Sequence, residues 1–315
     1  MPAHQTLAPP ERRASTAEAP QTMGERVWQG VGATIQERLG EARQALVDIG
    51  HDADVANVVD LASLIHREQF DEADTEAWTT SELTAHNIAQ VLLDMPAAAR
   101  AQAELDGDEY TPEHKHKQDL MIVCQFNQDI GAALTHMPHS MQSDFPDTVH
   151  QQATKGLKNH YGLEVLPETA LKHIFAGVRR EVAFMRSTLD NDIECTPATI
   201  EQDLKGADVV VTDEVGQFGI DLKTHNSFEK KITQMLDRKK LTPEEATAAR
   251  TQGYIDMPIR EEDALPTIMA NADAIGRIKG YDYEQPEAVI QFIEQLSQHR
   301  KDKILQKIGK SAIIS

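Results

Sequence analysis

The sequence is poor in cysteine, in basic residues and in long apolar runs, and each shortage excludes a class of protein. Two cysteines among 315 residues, Cys124 and Cys195, can form neither a disulfide framework nor a CxxC zinc knuckle. No apolar run approaches the roughly 18 residues that a transmembrane helix needs, and no apolar signal-peptide segment lies near the N-terminus. A net charge of −20 excludes a chain that coats nucleic acid or an anionic membrane with its whole surface. We therefore expect a soluble, cytoplasmic protein with no membrane partner.

The acidic residues are concentrated in the N-terminal half of the chain. Residues 1–150 hold 9 basic and 25 acidic side chains, residues 151–240 hold 13 and 14, and residues 241–315 hold 9 and 12. The middle segment is therefore almost neutral, although the whole chain is strongly acidic. This asymmetry predicts different functions for the two halves, and it excludes only a uniformly basic nucleic-acid-binding protein.

The first half of the sequence has a helical pattern after a polar leader. Residues 1–23 are rich in Pro, Ala, Ser and Thr and are predicted to be disordered. Apolar residues then recur at spacings of three and four, which predicts an acidic, all-helical domain over 24–145. Within it, helices are predicted over Thr80–Pro96 and Leu120–Leu134. This acidic domain is a candidate surface for a protein partner, in regulation or targeting.

The second half, over 146–315, has the pattern of a mixed α/β domain. An apolar helical stripe begins after Glu168. Two runs rich in β-branched residues, Ala207–Thr212 and Gln217–Thr224, predict strands, and the four-residue loop between them ends in Gly216, which predicts a hairpin. Further strands are predicted at 193–196, 254–259 and 265–269, and further helices at 228–236, 243–252 and 286–308.

The hairpin register brings charged residues together. If the strands pair directly across the loop, Asp208 falls opposite Asp221. One face of the ribbon is then apolar, whereas the other carries Asp208, Asp221, Lys223 and Gly219. Like charges placed opposite each other destabilise a sheet, and a divalent cation such as Mg²⁺, which prefers oxygen ligands, would offset them. Gly219 is expected to leave room for a substrate or another backbone to approach.

The hairpin and the helix before it resemble the PD-(D/E)xK nuclease superfamily, in the form Asp…Asp-x-Lys. Asp208 is followed after twelve residues by Asp221-Leu222-Lys223, and Glu181 lies upstream on the strongly periodic helix. The resemblance covers roughly residues 165–270. It implies an α+β protein in which an N-terminal all-helical domain precedes a restriction-endonuclease-like αβββαβ core with a mixed sheet. It also implies hydrolysis of nucleic-acid phosphodiester bonds, DNA above all, with Mg²⁺ or Mn²⁺ as cofactor.

The resemblance also implies a role for each of these residues. Asp208 and Asp221 would bind the metal, with the carbonyl group of Leu222 as a third ligand. Glu181 would bind the metal directly or through water. Lys223 would orient the attacking water and stabilise the charge that develops on the phosphoryl group. Contacts to the phosphate backbone would require several of the other 12 basic residues of 151–240 to share one face.

Simpler interpretations of the same residues stay open. The charged face could be a solvated hairpin surface with a salt bridge that contributes little stability, and Glu181 could pair with Arg186 or Lys205. The protein would then be a catalytically inactive, nuclease-derived interaction module, or a partner-binding protein that acts through its acidic helices. Zinc is not predicted from the histidines, because they lie in polar segments without cysteines; they are His114, His116, His136, His139 and His150.

Overall fold

A helical half is followed by a five-stranded sheet in the computed structural model, which describes residues 21–107, 113–189, 191, 193–258 and 265–314. The leader predicted over 1–23 lies almost entirely outside these residues. The helices of the described part are α1 Met23–Asp48, α2 Val55–Glu72, α3 Thr80–Asp106, α4 Glu113–His136, α5 His139–Gln142, α6 Phe145–Ala153, α7 Asn159–Tyr161, α8 Glu168–Leu189, α9 Ile200–Leu204, α10 His225–Asp237, α11 Pro243–Gln252, α12 Ala272–Ile275 and α13 Pro286–Ile314. The strands are β1 Cys195–Pro197, β2 Val209–Asp213, β3 Gly216–Lys223, β4 Tyr254–Asp256, β5 Thr267–Asn271, β6 Ile278–Lys279 and β7 Asp282–Tyr283.

The sheet is mixed, with the strand order β1-β2-β3-β5-β4. Strands β1, β2 and β3 pair antiparallel, β5 runs parallel to β3, and β4 pairs antiparallel with β5. Parallel neighbours need a crossover connection, and α10 and α11 lie in the segment that joins β3 to β5. The prediction of an α+β protein with an N-terminal helical region and a later mixed sheet is therefore confirmed.

The helical half is organised around α3, which packs against α1, α2 and α4. The sequence predicts that α3 ends at Pro96, and this is wrong, because the helix continues to Asp106 with Pro96 buried inside it. A proline inside a helix removes a backbone hydrogen bond and costs about 3 kcal/mol. Burial of most of the apolar side chains of α3 offsets that cost, since tertiary packing outweighs local propensity. In the described part of the chain, no helix has both the length and the apolar content needed to cross a bilayer.

Helix α8 contributes to two hydrophobic clusters. From Leu171 to Val182, its buried side chains belong to the cluster of the helical half. From Ala183 to Met185, they belong to the cluster that includes the apolar face of the β2–β3 ribbon. Glu181 lies between the two sets. The domain boundary predicted at 145/146 remains a prediction, and the cluster of the helical half extends past it into α8.

Strands β2 and β3 form the predicted hairpin in the predicted register. Thr212 pairs with Gln217, and the pairing extends one step nearer to the turn, to Asp213 and Gly216. The predicted four-residue loop is therefore reduced to a two-residue connection, Glu214-Val215. Gly216 has a φ of +116°, a conformation that favours glycine and explains why this residue closes the turn.

The space beside Gly219 is closed, so the expectation that it admits a substrate is wrong. A Cβ atom at this position would lie 2.7 Å from Cβ of Ala207, 3.0 Å from Oγ1 of Thr267 and 3.2 Å from Cδ2 of Leu265. Protein atoms from both sides of the ribbon therefore fill this part of the sheet face. Glycine is needed here for close packing of the chain on itself.

We expect Gly219→Ala to lower the free energy of unfolding by about 1–3 kcal/mol, the usual cost of adding atoms to a well-packed core. The matched control is Gly177→Ala on the exposed surface of α8, where no heavy atom lies within 4 Å of the added Cβ. Alanine at position 177 should raise the same free energy by about 0.5–1 kcal/mol, because it restricts the unfolded chain. Urea titrations measure both values, and the same change in both variants would contradict close packing at Gly219.

Candidate active site

The hairpin brings Asp208, Asp221 and Lys223 together where β3 leads into α10. Lys223 is the last residue of β3, and Thr224 caps the N-terminus of α10. Asp208 comes directly before β2, and its backbone N–H donates to the carbonyl oxygen of Ile220 at 2.9 Å. The strand pairing therefore continues to the position where the two aspartates are neighbours.

The carboxylate of Asp208 is held against the backbone of β3. The N–H of Leu222 donates to Oδ2 of Asp208 at 2.6 Å, so one carboxylate oxygen replaces a backbone acceptor of the strand ladder. Burial raises the pKa of Asp208 to about 7 against the opposing charge of Lys223, and the charge of Asp221 adds to the rise. Near neutral pH this carboxyl group is therefore only partly ionised.

Asp221 and Lys223 form an ion pair inside the site. The side chain of Asp221 is 8% exposed, and the ammonium group of Lys223 contacts its Oδ1. Burial raises the pKa of Asp221 even against this ammonium group. Burial alone would lower the pKa of Lys223, but the charges of Asp208 and Asp221 raise it above its ordinary value. This arrangement differs from the solvated surface salt bridge of the simpler interpretation, because the carboxylate is buried.

Helix α8 adds Glu181 to the same cluster. Burial raises the pKa of Glu181 to about 8, and the charges of Asp208 and Asp203 add to the rise. The charges of Arg180 and Lys223 act in the opposite direction. Glu181 is half-buried, and near neutral pH it is therefore predominantly a neutral carboxylic acid.

The two cations considered as simple partners for Glu181 have other contacts. Nε of Arg186 donates to Oδ1 of Asp282 at 2.7 Å. Nζ of Lys205 lies 3.0 Å from Oε1 of Glu201. The residues whose charges act most on Glu181 instead belong to the carboxylate cluster, which argues against a purely structural salt bridge.

Two residues that the sequence did not assign to the site, Asp203 and Cys124, adjoin the cluster. Asp203 lies on α9, and Gly206, with a φ of +97°, then turns the chain towards Asp208. Burial raises the pKa of Asp203, and the charge of Asp221 adds to the rise. The thiol of Cys124 on α4 hydrogen-bonds with Asp203. The helical half therefore reaches the candidate site.

The donor atoms of the cluster fit a divalent cation in type and in charge. Carboxylate oxygens are the ligands that Mg²⁺ and Mn²⁺ prefer, and the raised pKa values reflect negative charge that a cation would offset. Among the described residues, no three His, Cys, Asp or Glu side chains are already disposed as a metal site. The contact of Lys223 with Asp221 is one reason, since the ammonium group takes the place of a cation. Metal binding would require Lys223 to move off Asp221.

The raised pKa values predict that the metal-free protein loses stability as the pH rises from 7 to 8.5. The unfolded chain has already released the protons of Glu181 and Asp208 in this range, whereas the native state keeps part of them until its pKa values of about 8 and 7 are passed. Each retained proton contributes a slope of at most about 1.4 kcal/mol per pH unit. Urea titrations in EDTA measure the slope, and Glu181→Gln should flatten it. Equal slopes for Glu181→Gln and the wild type would contradict a neutral Glu181.

Comparisons with known proteins add no name to this geometry. A scan against protein-family models, a search of curated proteins and a search of solved structures each found no match to this chain. The functional argument therefore depends on the residues and contacts of the chain itself.

Proposed function

We propose that this protein is a divalent-metal-dependent nuclease of the PD-(D/E)xK type, which hydrolyses phosphodiester bonds of nucleic acid, with DNA as the expected substrate. The observation that carries the proposal is the convergence of Glu181, Asp208, Asp221 and Lys223, from α8 and the β2–β3 hairpin, on one buried cluster. Three carboxylates that surround an ammonium group are chemically suited to bind a cation and to orient a water molecule.

The topology around the cluster supports the same proposal. One helix, three antiparallel strands, a helical crossover and a fourth strand parallel to the third follow in the order α8, β1, β2, β3, α10 and β5. This order agrees with the αβββαβ arrangement implied by the resemblance, with α11 and the edge strand β4 as additions within the crossover. Fold alone does not determine function, so the weight stays on the residues of the site.

The chain's own groups have distinct roles in the proposed reaction. Asp208 and Asp221 would hold the cation, with Glu181 and the carbonyl group of Leu222 as further ligands. When bound, a divalent ion supplies Lewis-acid polarisation of the phosphoryl group and lowers the pKa of a water ligand. Lys223, once it leaves Asp221, donates hydrogen bonds to the attacking water or to the phosphoryl oxygens and stabilises their growing negative charge. Water attacks phosphorus, the bond to the 3′ oxygen breaks, and the product carries a 5′-phosphate.

The direct test is cleavage of fluorescent single-stranded and duplex DNA by the purified full chain. We expect cleavage with Mg²⁺ or Mn²⁺ and none in EDTA, with 5′-phosphate ends on the products. Absence of cleavage of both DNA forms with both metals would contradict the proposal for DNA, and the same assay on RNA would then decide whether any nuclease activity remains.

The contact between Lys223 and Asp221 also favours a second candidate, a nuclease-derived fold that binds partners without catalysis. In that case the ammonium group would be the permanent counter-charge of the cluster. Titration calorimetry with Mg²⁺ and Mn²⁺ separates the two proposals, because an inactive module needs no metal affinity. The acidic helical half, with its 25 acidic residues before position 151, would then be the candidate surface for a basic protein partner.

A further inference from the structure

A cavity lined by arginines lies beside the carboxylate cluster. It has a volume of about 430 Å³ and is formed by α8 and by the segment that follows β5. Its lining residues are Arg179, Arg180, Asp273, Gly276, Arg277 and Ile278. Three guanidinium groups and a single carboxylate therefore surround one space, which is an arrangement suited to an anion.

Two of the three arginines lack a close counter-ion. No hydrogen bond or ion pair to the guanidinium group of Arg180 is found among the described residues, and its Nε is fully buried without a partner. The side chain of Arg277 is 83% exposed, and its nearest carboxylate, that of Glu284, is 3.9 Å away. Arg179 differs, because it donates to the carbonyl oxygens of Gly280 and Ile278, both at 2.6 Å, and so fixes one wall of the cavity.

The cavity adjoins the candidate site on two sides. Arg180 directly precedes Glu181, and its charge lowers the pKa of that residue. On the other side, Oδ2 of Asp273 accepts a hydrogen bond from the backbone N–H of His225 at 2.7 Å. His225 lies two residues after Lys223, at the start of α10. The carboxylate in the cavity wall is thus already engaged by the protein, whereas the guanidinium groups of Arg180 and Arg277 face the space.

We infer that this cavity binds a backbone phosphate of the nucleic acid, next to the phosphate that is cleaved, through Arg180 and Arg277. The inference rests on the proposed nuclease function and adds to it the contact that positions the strand. Arginine suits this contact because its planar fork can donate two hydrogen bonds to one phosphate. Other basic residues near the site have protein partners, for example Lys172 with Glu168 and Arg186 with Asp282.

The test is binding of fluorescent duplex and single-stranded oligonucleotides to the full chain in EDTA, followed by anisotropy over a range of salt concentrations. Removal of one phosphate contact should weaken binding about tenfold at low salt. It should also reduce the slope of log affinity against log salt by about 0.9 for duplex or 0.7 for single strands. We expect both effects for Arg277→Ala and Arg180→Gln. The matched control is Arg43→Ala, an exposed charge of the helical half, which should leave both quantities unchanged.

A conservative variant separates charge from geometry. Arg180→Lys keeps the positive charge, so it should keep the salt slope and still bind more weakly, because lysine lacks the planar fork. A neutral methylphosphonate linkage, moved along the oligonucleotide, should abolish the effect of Arg277→Ala at one position only. Such a position would identify the bound phosphate.

The outcomes distinguish this inference from the nuclease proposal. Arginine-dependent binding without cleavage under any metal condition would support the phosphate site and contradict the nuclease. Cleavage with identical salt slopes for the wild type, Arg180→Gln and Arg277→Ala would contradict the phosphate site and leave the nuclease standing. Absence of oligonucleotide binding at low salt, or an equal loss in Arg43→Ala, would also overturn the phosphate site.

Discussion

Asp221→Asn should reduce DNA cleavage by about 10³-fold or more. Asp221 is the most deeply buried carboxylate of the cluster and contacts Lys223 directly. Asparagine keeps the shape of the side chain but removes the negative charge that would bind the cation, and the loss of the several kcal/mol that a metal contributes corresponds to this factor. Single-turnover cleavage with saturating enzyme measures the change in the chemical step.

The fold should survive this substitution, which makes the result interpretable. Burial raises the pKa of Asp221, which means that the folded protein bears a cost for its negative charge. Replacement with neutral asparagine should therefore leave the free energy of unfolding unchanged or slightly higher. Asp237→Asn, at the exposed end of α10, is the matched control and should cleave like the wild type. Cleavage by Asp221→Asn within a few-fold of the wild type would show that Asp221 is not part of the catalytic machinery.

Lys223→Met should reduce cleavage by about 10²–10³-fold while it preserves or strengthens metal binding. The reduction is the usual effect of removing one group that stabilises charge in a transition state. Metal binding should persist, because the ammonium group that contacts Asp221 competes with any cation for the same carboxylate. Methionine is similar in length to lysine and can fill the half-buried space without a charge.

The two variants together separate the proposed roles. Calorimetry with Mg²⁺ should give weaker affinity for Asp221→Asn and equal or higher affinity for Lys223→Met. If Lys223→Met instead loses metal affinity together with activity, Lys223 serves to hold the site together, and the assignment to water or phosphoryl contacts would be wrong. If Lys223→Met cleaves normally, the lysine is only the counter-charge of Asp221.

The hairpin shows how much the sequence could predict. Side chains alternate faces along a strand, so one assumed pair, Thr212 with Gln217, determined which residues face each other, and the observed pairing is the same. The proximity of Asp208, Asp221 and Lys223 followed from that single register. Glu181 depended on the resemblance to a nuclease family, because no local rule brings a residue of α8 to a strand that begins some 30 residues later.

The parts that the sequence missed depend on contacts between distant segments. Asp203 reaches the cluster because Thr199 begins a short helix and Gly206 then reverses the chain, and this capping motif with its glycine is the signal that could have indicated it. Cys124 comes from the other half of the chain and gave no such signal. Pro96 and Gly219 were misinterpreted for the same reason, since their neighbours, rather than their own sequence, determine what each residue tolerates.

The shared helix α8 has a thermodynamic consequence. Its inward stripe changes clusters between Val182 and Ala183, so melting of either half would expose one face of the same helix. The two halves are therefore coupled into one cooperative unit, in which partial opening of the acidic helices is felt at the sheet. Glu181 lies at the junction. A partner that tightens or loosens the acidic half would thus act as an effector of the proposed chemistry without any contact to the nucleic acid.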